Sequence, residues 1–294
     1  MTGDSTTTAG DLLATLAQRG TAPADISVEA VDTLYRRQRP SRHPPDFRAI
    51  ADIPCRLPAT DPADQIWAVI VETRRSADLT SAVHNLHREL GLPVRLFHGR
   101  DNAVDIRREL SDLIDAGVVR PIDLRVNDLT KAGYNALLLS PEFWRSIPAR
   151  DRVLIFQTDT IVCAGRDYEL TDFDDLDLVG AEWDIRRPVG FAINGGSGGF
   201  SLRNKQMLLD CLDRFPPDVW RGGEDGYFGF HIELLGGKVA SSERCAMFAT
   251  QRAFRYRSLG AHKITTLNSR NLRRFLAYCP EAHRLLPADT ATNG

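Results

Sequence analysis

Six consecutive apolar residues, Ile66 to Val71, constrain the fold more than any other stretch of this 294-residue chain. A strand with one wet face alternates apolar and polar residues. An unbroken apolar strand has both faces covered, as in a parallel sheet flanked by helices. Helical apolar spacing follows from Leu79 to Leu90, then a strand from Val94 to Phe97 and a helix from Ala103 to Ala116. Strand and helix alternating at this spacing predict a parallel sheet built from βαβ units. Arg152 to Phe156, Leu178 to Ala181 and Lys238 to Ala240 read as further strands. Tyr134 to Trp144 (interrupted by Pro141), Asn204 to Phe215, Gly226 to Leu235 and Ser269 to Tyr278 read as helices.

The residues before Ile66 have a different character. Residues 1–10 are Thr-rich and predicted to be disordered, and Asp11 to Arg19 and Ser27 to Arg37 each carry helical spacing. Six prolines between Pro40 and Pro62 exclude long helices and central strands, which predicts a linker or a strap over the main body. The expected organisation is an N-terminal extension (1–65), one α/β domain (66–285) and a frayed tail (286–294).

With 37 basic and 39 acidic residues, the chain lacks the basic excess of a bulk nucleic-acid binder. No apolar run approaches the ~20 residues of a membrane span, and the N-terminus lacks the features of a signal peptide. Five cysteines, odd in number and without a C-x-x-C pair, predict reduced, buried thiols in a cytoplasmic protein.

Four segments carry chemistry. Phe156-Gln157-Thr158-Asp159 ends an apolar strand in a carboxylate, at the sheet edge where open α/β folds bind ligands. Such an oxygen can ligate a hard divalent cation; it can equally cap the next turn. Asn194-Gly195-Gly196-Ser197-Gly198-Gly199 lets the backbone approach a ligand closely or forms a loop between strands. Gly222-Gly223-Glu224-Asp225 sets two carboxylates at a helix start, where one can cap and the other can act as a general base. Ala261-His262-Lys263 offers an imidazole for a metal and a cation for a diphosphate, or is an ordinary surface pair.

In this order the segments resemble the GT-A glycosyltransferases. The resemblance extends to a glycosyltransferase-like family of unknown function with E-T-R, Y-N-x-L-L-L-S-P-x-F-W, F-Q-x-D, N-G-G, E-D and H-K motifs. Here these read Glu72-Thr73-Arg74, Tyr134 to Trp144, Phe156 to Asp159, Asn194 to Arg203, Glu224-Asp225 and His262-Lys263. Trp220-Arg221-Gly222-Gly223-Glu224-Asp225 is also similar to the W-G-G-E-D segment of inverting galactosyltransferases.

The resemblance implies a Rossmann-type, mostly parallel sheet and transfer of a sugar from a nucleotide-sugar donor to a small-molecule or glycan hydroxyl. It places Asp159 and His262 on Mn²⁺ or Mg²⁺, with the neutral Gln157 where the first Asp of the D-x-D motif stands. Glu72, Thr73, Arg74, Asn135, Gln157, Thr158 and Lys263 fall on the donor side. Asn194, Gly195, Gly196, Ser197 and Gly198 fall on the acceptor and sugar side, with Trp183 bordering the cleft or packing in the core. Asp225 is the implied base and Glu224 the acceptor-holding carboxylate. A binding protein without turnover and a nucleotidyltransferase are the competing readings, the second disfavoured because no glycine follows the first strand. A retaining mechanism, which needs no base, also stays open.

Overall fold

The structure is a computed structural model that describes residues Asp11, Ala14, Ser27, Val31, 41–60, 63, 65–182 and 194–286. The Thr-rich opening, most of the two helices expected before Arg37, Trp183 and residues 287–294 of the tail lie outside the described residues.

Nine strands are described: β1 (Trp67–Glu72), β2 (Val94–His98), β3 (Val119–Asp123), β4 (Arg152–Phe156), β5 (Thr160–Val162), β6 (Leu178–Ala181), β7 (Ser197–Asn204), β8 (Ala249–Thr250) and β9 (Gly260–His262). Six form one sheet in the order β3-β2-β1-β4-β7-β6. The first four in that order pair in parallel, and β7 runs antiparallel between β4 and β6. The fold is a mixed α/β architecture with a mostly parallel sheet.

Both faces of this sheet are packed, which is why Ile66 to Val71 shows no alternation. Trp67, Val69, Val153 and Ile155 face α4 (Lys131–Leu138), α5 (Pro141–Arg145), α6 (Lys205–Arg214) and α7 (Glu224–Leu234). Ala68, Ile70, Leu154 and Phe156 face α1 (Asp78–Leu90), α2 (Ala103–Glu109) and α8 (Ser242–Phe248).

Two local expectations are corrected, and one strand was not foreseen. The helix expected from Ala103 to Ala116 is two, α2 and α3 (Ser111–Asp115), because the buried Leu110 leaves helical geometry at φ −113°, ψ 18°. Lys238 to Ala240 forms no strand: Val239 makes a single bridge to Leu178 after the Gly236-Gly237 turn. The strand β3 escapes the apolar pattern because it holds Arg120 and Pro121, which an edge strand tolerates.

A second sheet, β5-β9-β8, packs with α9 (Ser269–Leu276) around Ile161, Ala261, Ile264 and Phe275. This packing corrects the expectation of reduced, buried thiols. Cys163 and Cys279, 116 residues apart in sequence, come to a Cα separation of 5.2 Å and form a disulfide. Cys55 is exposed, whereas Cys211 and Cys245 are buried free thiols. No helix among the described residues is long and apolar enough to cross a membrane.

Residues 41–60 lie as a strap on the helical face that carries α4. Asp46 N–H donates to the Ala132 carbonyl (3.1 Å), Ser41 N–H donates to the Arg221 carbonyl (2.7 Å), and Ile50 and Ile53 bury in the core beside Trp144.

On α7, His231 is fully buried among Phe215, Trp220, Tyr227 and Phe230. Burial drives its pKa down to about 3, against the pull of the Tyr227 carbonyl. The unfolded chain takes up this proton near pH 6.5 and the folded chain does not. The stabilisation is therefore complete above that pH and is lost as the pH falls toward 3. Urea unfolding between pH 7 and 5 is expected to show a loss approaching ~1.4 kcal/mol per pH unit from this group. His231→Phe should flatten that slope; an unchanged slope would assign the dependence to other groups.

Candidate functional site

Strand order reverses between β1 and β4: β1 continues outward to β2 and β3, and β4 to β7 and β6. At such a switch point the loops leaving the carboxyl ends diverge and leave a crevice. A cavity of about 340 Å³ opens there, walled by the ends of β1 and β4, the start of β7, the first turn of α7, α4, and the residues at and after the end of β9. Because β7 runs antiparallel, its beginning meets the end of β4, with Phe156 opposite Phe200.

The β1 edge is preorganised by its own polar groups. Glu72 accepts from Arg74 Nε and Nη2 (both 2.9 Å) and from the Arg74 backbone N–H (2.9 Å). Thr73 Oγ1 accepts the Leu129 N–H at 2.8 Å, and Asn102 Nδ2 donates to the carbonyls of Glu72 and Arg74. The side chain of Arg74 is 64% exposed, so its charge borders the cavity while its orientation is fixed by the buried Glu72.

Across the cavity one imidazole nitrogen and two side-chain oxygens converge. His262 Nε2 stands 3.3 Å from Gln157 Oε1 and 3.2 Å from Asp159 Oδ1. Among the described residues, Asp159 Oδ1 is buried without a hydrogen-bond partner. On its other edge His262 Nδ1 faces Gln251 Oε1 (3.2 Å) and Ser197 Oγ (3.4 Å). Burial presses the Asp159 carboxyl upward, but His262 and Lys263 outweigh it and hold its pKa below the ordinary value. Lys263 donates its backbone N–H to the Asp159 carbonyl (3.2 Å) from a left-handed conformation, φ 54°. A non-glycine residue there is strained backbone kept at a site.

Three residues of the glycine-rich segment, Ser197, Gly198 and Gly199, stand in the cavity wall. Gly198 and Gly199 are the opening residues of β7 and make room for protein side chains. A Cβ on Gly198 would lie 1.9 Å from Glu224 Oε1, and one on Gly199 would lie 2.3 Å from His262 Nε2 and 2.8 Å from Gln157 Oε1. Gly199→Ala is expected to displace both His262 and Gln157 at a cost of about 1–3 kcal/mol. Thermal melting checks the cost: an unchanged melting temperature would mean that the neighbouring side chains give way to the methyl group freely.

At the α7 start, Gly223 is the N-cap and brings no side chain to the first-turn N–H groups. Glu224 is buried and both its oxygens accept from Arg203, at 2.6 and 3.1 Å. Glu224, expected to hold an acceptor hydroxyl, thus turns both carboxylate oxygens to Arg203 within the cavity wall. Asp225 accepts the N–H of Gly226 (2.8 Å) through Oδ1 and that of Gly198 (3.3 Å) through Oδ2. Asn135 bridges two elements, Nδ2 donating to the His43 carbonyl (2.8 Å) and Oδ1 accepting the Glu224 N–H (3.4 Å).

The cavity wall thus gathers Glu72, Thr73, Arg74, Asn135, Gln157, Thr158, Asp159, Ser197, Gly198, Glu224, Asp225, His262 and Lys263. Asn194, Gly195 and Gly196 stand away from it: Asn194 Nδ2 donates to Glu233 Oε1 (2.9 Å), and the two glycines pack on Leu178 and Gly180. Trp183 is outside the described residues. Gly199, part of the glycine-rich segment, lines the cavity as well, and so do Lys131 and Tyr134, to which the sequence assigned no role. Burial, and then the charge of Glu224, raise the pKa of Tyr134, so its hydroxyl stays protonated. Its place in a matched motif was the available signal.

A family model described as a protein of unknown function (DUF5672) matches residues 123–263. No curated protein matches the chain. Among solved structures, the chain is similar to the apo-form glycosyltransferase GlyE of Streptococcus pneumoniae TIGR4, with 16% identity over 70% of this chain, 55% of that one and TM-score 0.40. It is similar as well to the nucleoside-diphosphate-sugar pyrophosphorylase from Vibrio cholerae RC9 (13% identity, 59% and 89% covered, TM-score 0.39). A third is HddC from Yersinia pseudotuberculosis (16%, 50% and 80%, TM-score 0.31). The chain thus spans little more than half of GlyE, and at these identities the likeness is one of fold.

Proposed function

We propose that this protein is a glycosyltransferase of the GT-A type, moving a sugar from a nucleotide-sugar donor to a hydroxyl acceptor with inversion and with the help of a divalent cation. The observation that carries the reading is one cavity with two differently equipped carboxylates. Asp159 lies with His262, Gln157 and Lys263 at the end of β4, and Asp225 lies at the first turn of α7.

The donor set fits Mn²⁺ or Mg²⁺. In the tautomer whose Nδ1–H donates to Gln251, the Nε2 lone pair of His262 would face two oxygens, that of the Gln157 amide and Asp159 Oδ1, which has no hydrogen-bond partner among the described residues. Three acceptors turned toward one another are what a cation brings together. Among the described residues no three His, Cys, Asp or Glu side chains gather at one point. The Gln157 amide oxygen would be the third protein ligand, leaving positions for diphosphate oxygens and water. When bound, such an ion supplies charge stabilisation for the departing diphosphate.

The chain's own residues account for the rest. Lys263 offers an ammonium to the leaving diphosphate, and Arg74, held by Glu72, faces the nucleotide. Asp225, kept in place by the Gly198 and Gly226 N–H groups, takes the proton of the attacking acceptor hydroxyl. Attack from the side opposite the leaving group inverts the anomeric carbon.

The test is a thermal-shift panel of nucleoside diphosphates and nucleotide sugars, with and without Mn²⁺, followed by detection of released nucleoside diphosphate. One nucleotide stabilising the protein only with Mn²⁺, and turnover with that donor, is the expected result. The neutral Gln157 in the metal set favours a second reading, a binding protein without turnover. Stabilisation with no turnover across an acceptor panel would support that reading, and no shift with any donor would sink both.

A further inference from the structure

The opposite edge of the main sheet carries charges that the cavity does not use. Arg95 on β2 is registered against both Val69 on β1 and Arg120 on β3, so the two arginines leave the same face as Trp67. Both guanidinium groups lie against the Trp67 ring, Arg120 Cζ 4.9 Å and Arg95 Cζ 5.7 Å from its centroid. Arg120 is exposed, while Arg95 is only 7% exposed.

Among the described residues, Arg95 Nε and Trp67 Nε1 are buried with no hydrogen-bond partner. Burial, and then the neighbouring charge of Arg120, lower the Arg95 pKa to about 10, so it remains a cation at neutral pH. Like charges directly opposite on paired strands are destabilising, and a buried cation without a counter-charge is costly. Stacking on Trp67 offsets part of that cost but supplies no acceptor. Every polar atom in the cluster is a donor: two guanidinium forks and one indole N–H. An acceptor-rich anion satisfies such a set and also neutralises its charge, and guanidinium forks match the oxygen pairs of phosphate.

We propose that Arg95, Arg120 and Trp67 form a binding site for a phosphate-class oxyanion at the amino-terminal edge of the sheet, remote from the cavity. The site does not depend on the transferase reading. Its ligand is a free phosphate or phosphate ester, or the phosphate of an anionic lipid headgroup.

The full chain is melted in inorganic phosphate and in chloride at matched ionic strength. Wild type is compared with Arg120→Gln, Arg95→Met and Lys263→Ala, the last of which weakens any phosphate binding in the cavity. Phosphate is expected to stabilise wild type and Lys263→Ala alike, with apparent affinity about tenfold weaker in Arg120→Gln. Arg95→Met should melt no lower than wild type in chloride, since it removes a charge that has no counter-charge among the described residues, yet gain nothing from phosphate. If Arg95→Met fails to fold, the exposed Arg120 decides. Co-sedimentation with phosphatidic-acid vesicles over neutral ones, reduced in Arg120→Gln, would identify a headgroup; a phosphate shift without vesicle binding would identify the free ion. Equal stabilisation of wild type and Arg120→Gln, or of neither, overturns the proposal.

Discussion

Asp225→Asn is expected to slow sugar transfer by about 10²–10⁴-fold, the usual worth of a positioned general base, while nucleotide binding stays near wild type. The two carboxylate oxygens receive N–H groups from Gly226 (2.8 Å) and Gly198 (3.3 Å). An amide keeps the shape and one acceptor, so the turn should survive and only basicity should vanish. Initial rates with saturating donor, paired with a nucleotide thermal shift, separate the two effects. Loss of both rate and nucleotide binding would mean that Asp225 maintains the fold of the wall, and the base assignment would fall. Full activity would point to a mechanism that uses no base, and the anomeric configuration of the product would then show retention.

The largest effect on stability is expected at Arg203. Its side chain is fully buried on β7, its partner Glu224 is 4% exposed, and their shortest contact is 2.6 Å. Arg203 also donates to Ser201 Oγ (2.9 Å) and lies over the rings of Trp144 and Phe228. Water does not screen such a pair. Removing one partner strands the other, so Arg203→Met should cost about 3–5 kcal/mol in urea unfolding. Arg203→Met combined with Glu224→Gln should recover part of that loss, because no uncompensated charge remains. A double variant as unstable as the single one would shift the weight from charge to packing around Trp144 and Phe228.

The polar residues of the cavity wall were more legible in the sequence than the residues that support them. Strands β1, β2 and β4 announce themselves because burial on both faces leaves unbroken apolar runs. Asp159 and Asp225 stand out because a strand end and a helix start are the places where a carboxylate gains from its backbone setting. Arg203 gave no such signal: one arginine after three strand residues reads as the usual solvated end. Tyr134 and Lys131 sit on a helix whose spacing describes packing rather than a cavity wall. The glycines at 198 and 199 were legible as close approach, but what approaches is the protein's own Glu224, His262 and Gln157. The Cys163–Cys279 bond depends on α9 meeting β5, a contact that local spacing does not encode.

The Asn135 amide joins the strap to the Glu224–Asp225 turn through a single side chain, holding the His43 carbonyl with one end and the Glu224 N–H with the other. A shortened chain beginning at Ile66 would keep every residue of the cavity wall and still lose the anchor that orients this amide. With its Nδ2 partner gone, Asn135 is free to rotate, and the backbone beneath Asp225 loses its fixed reference. Inactivity of such a trimmed protein would therefore reflect lost alignment, and rescue by adding back residues 41–60 as a separate peptide would be the way to tell alignment from chemistry.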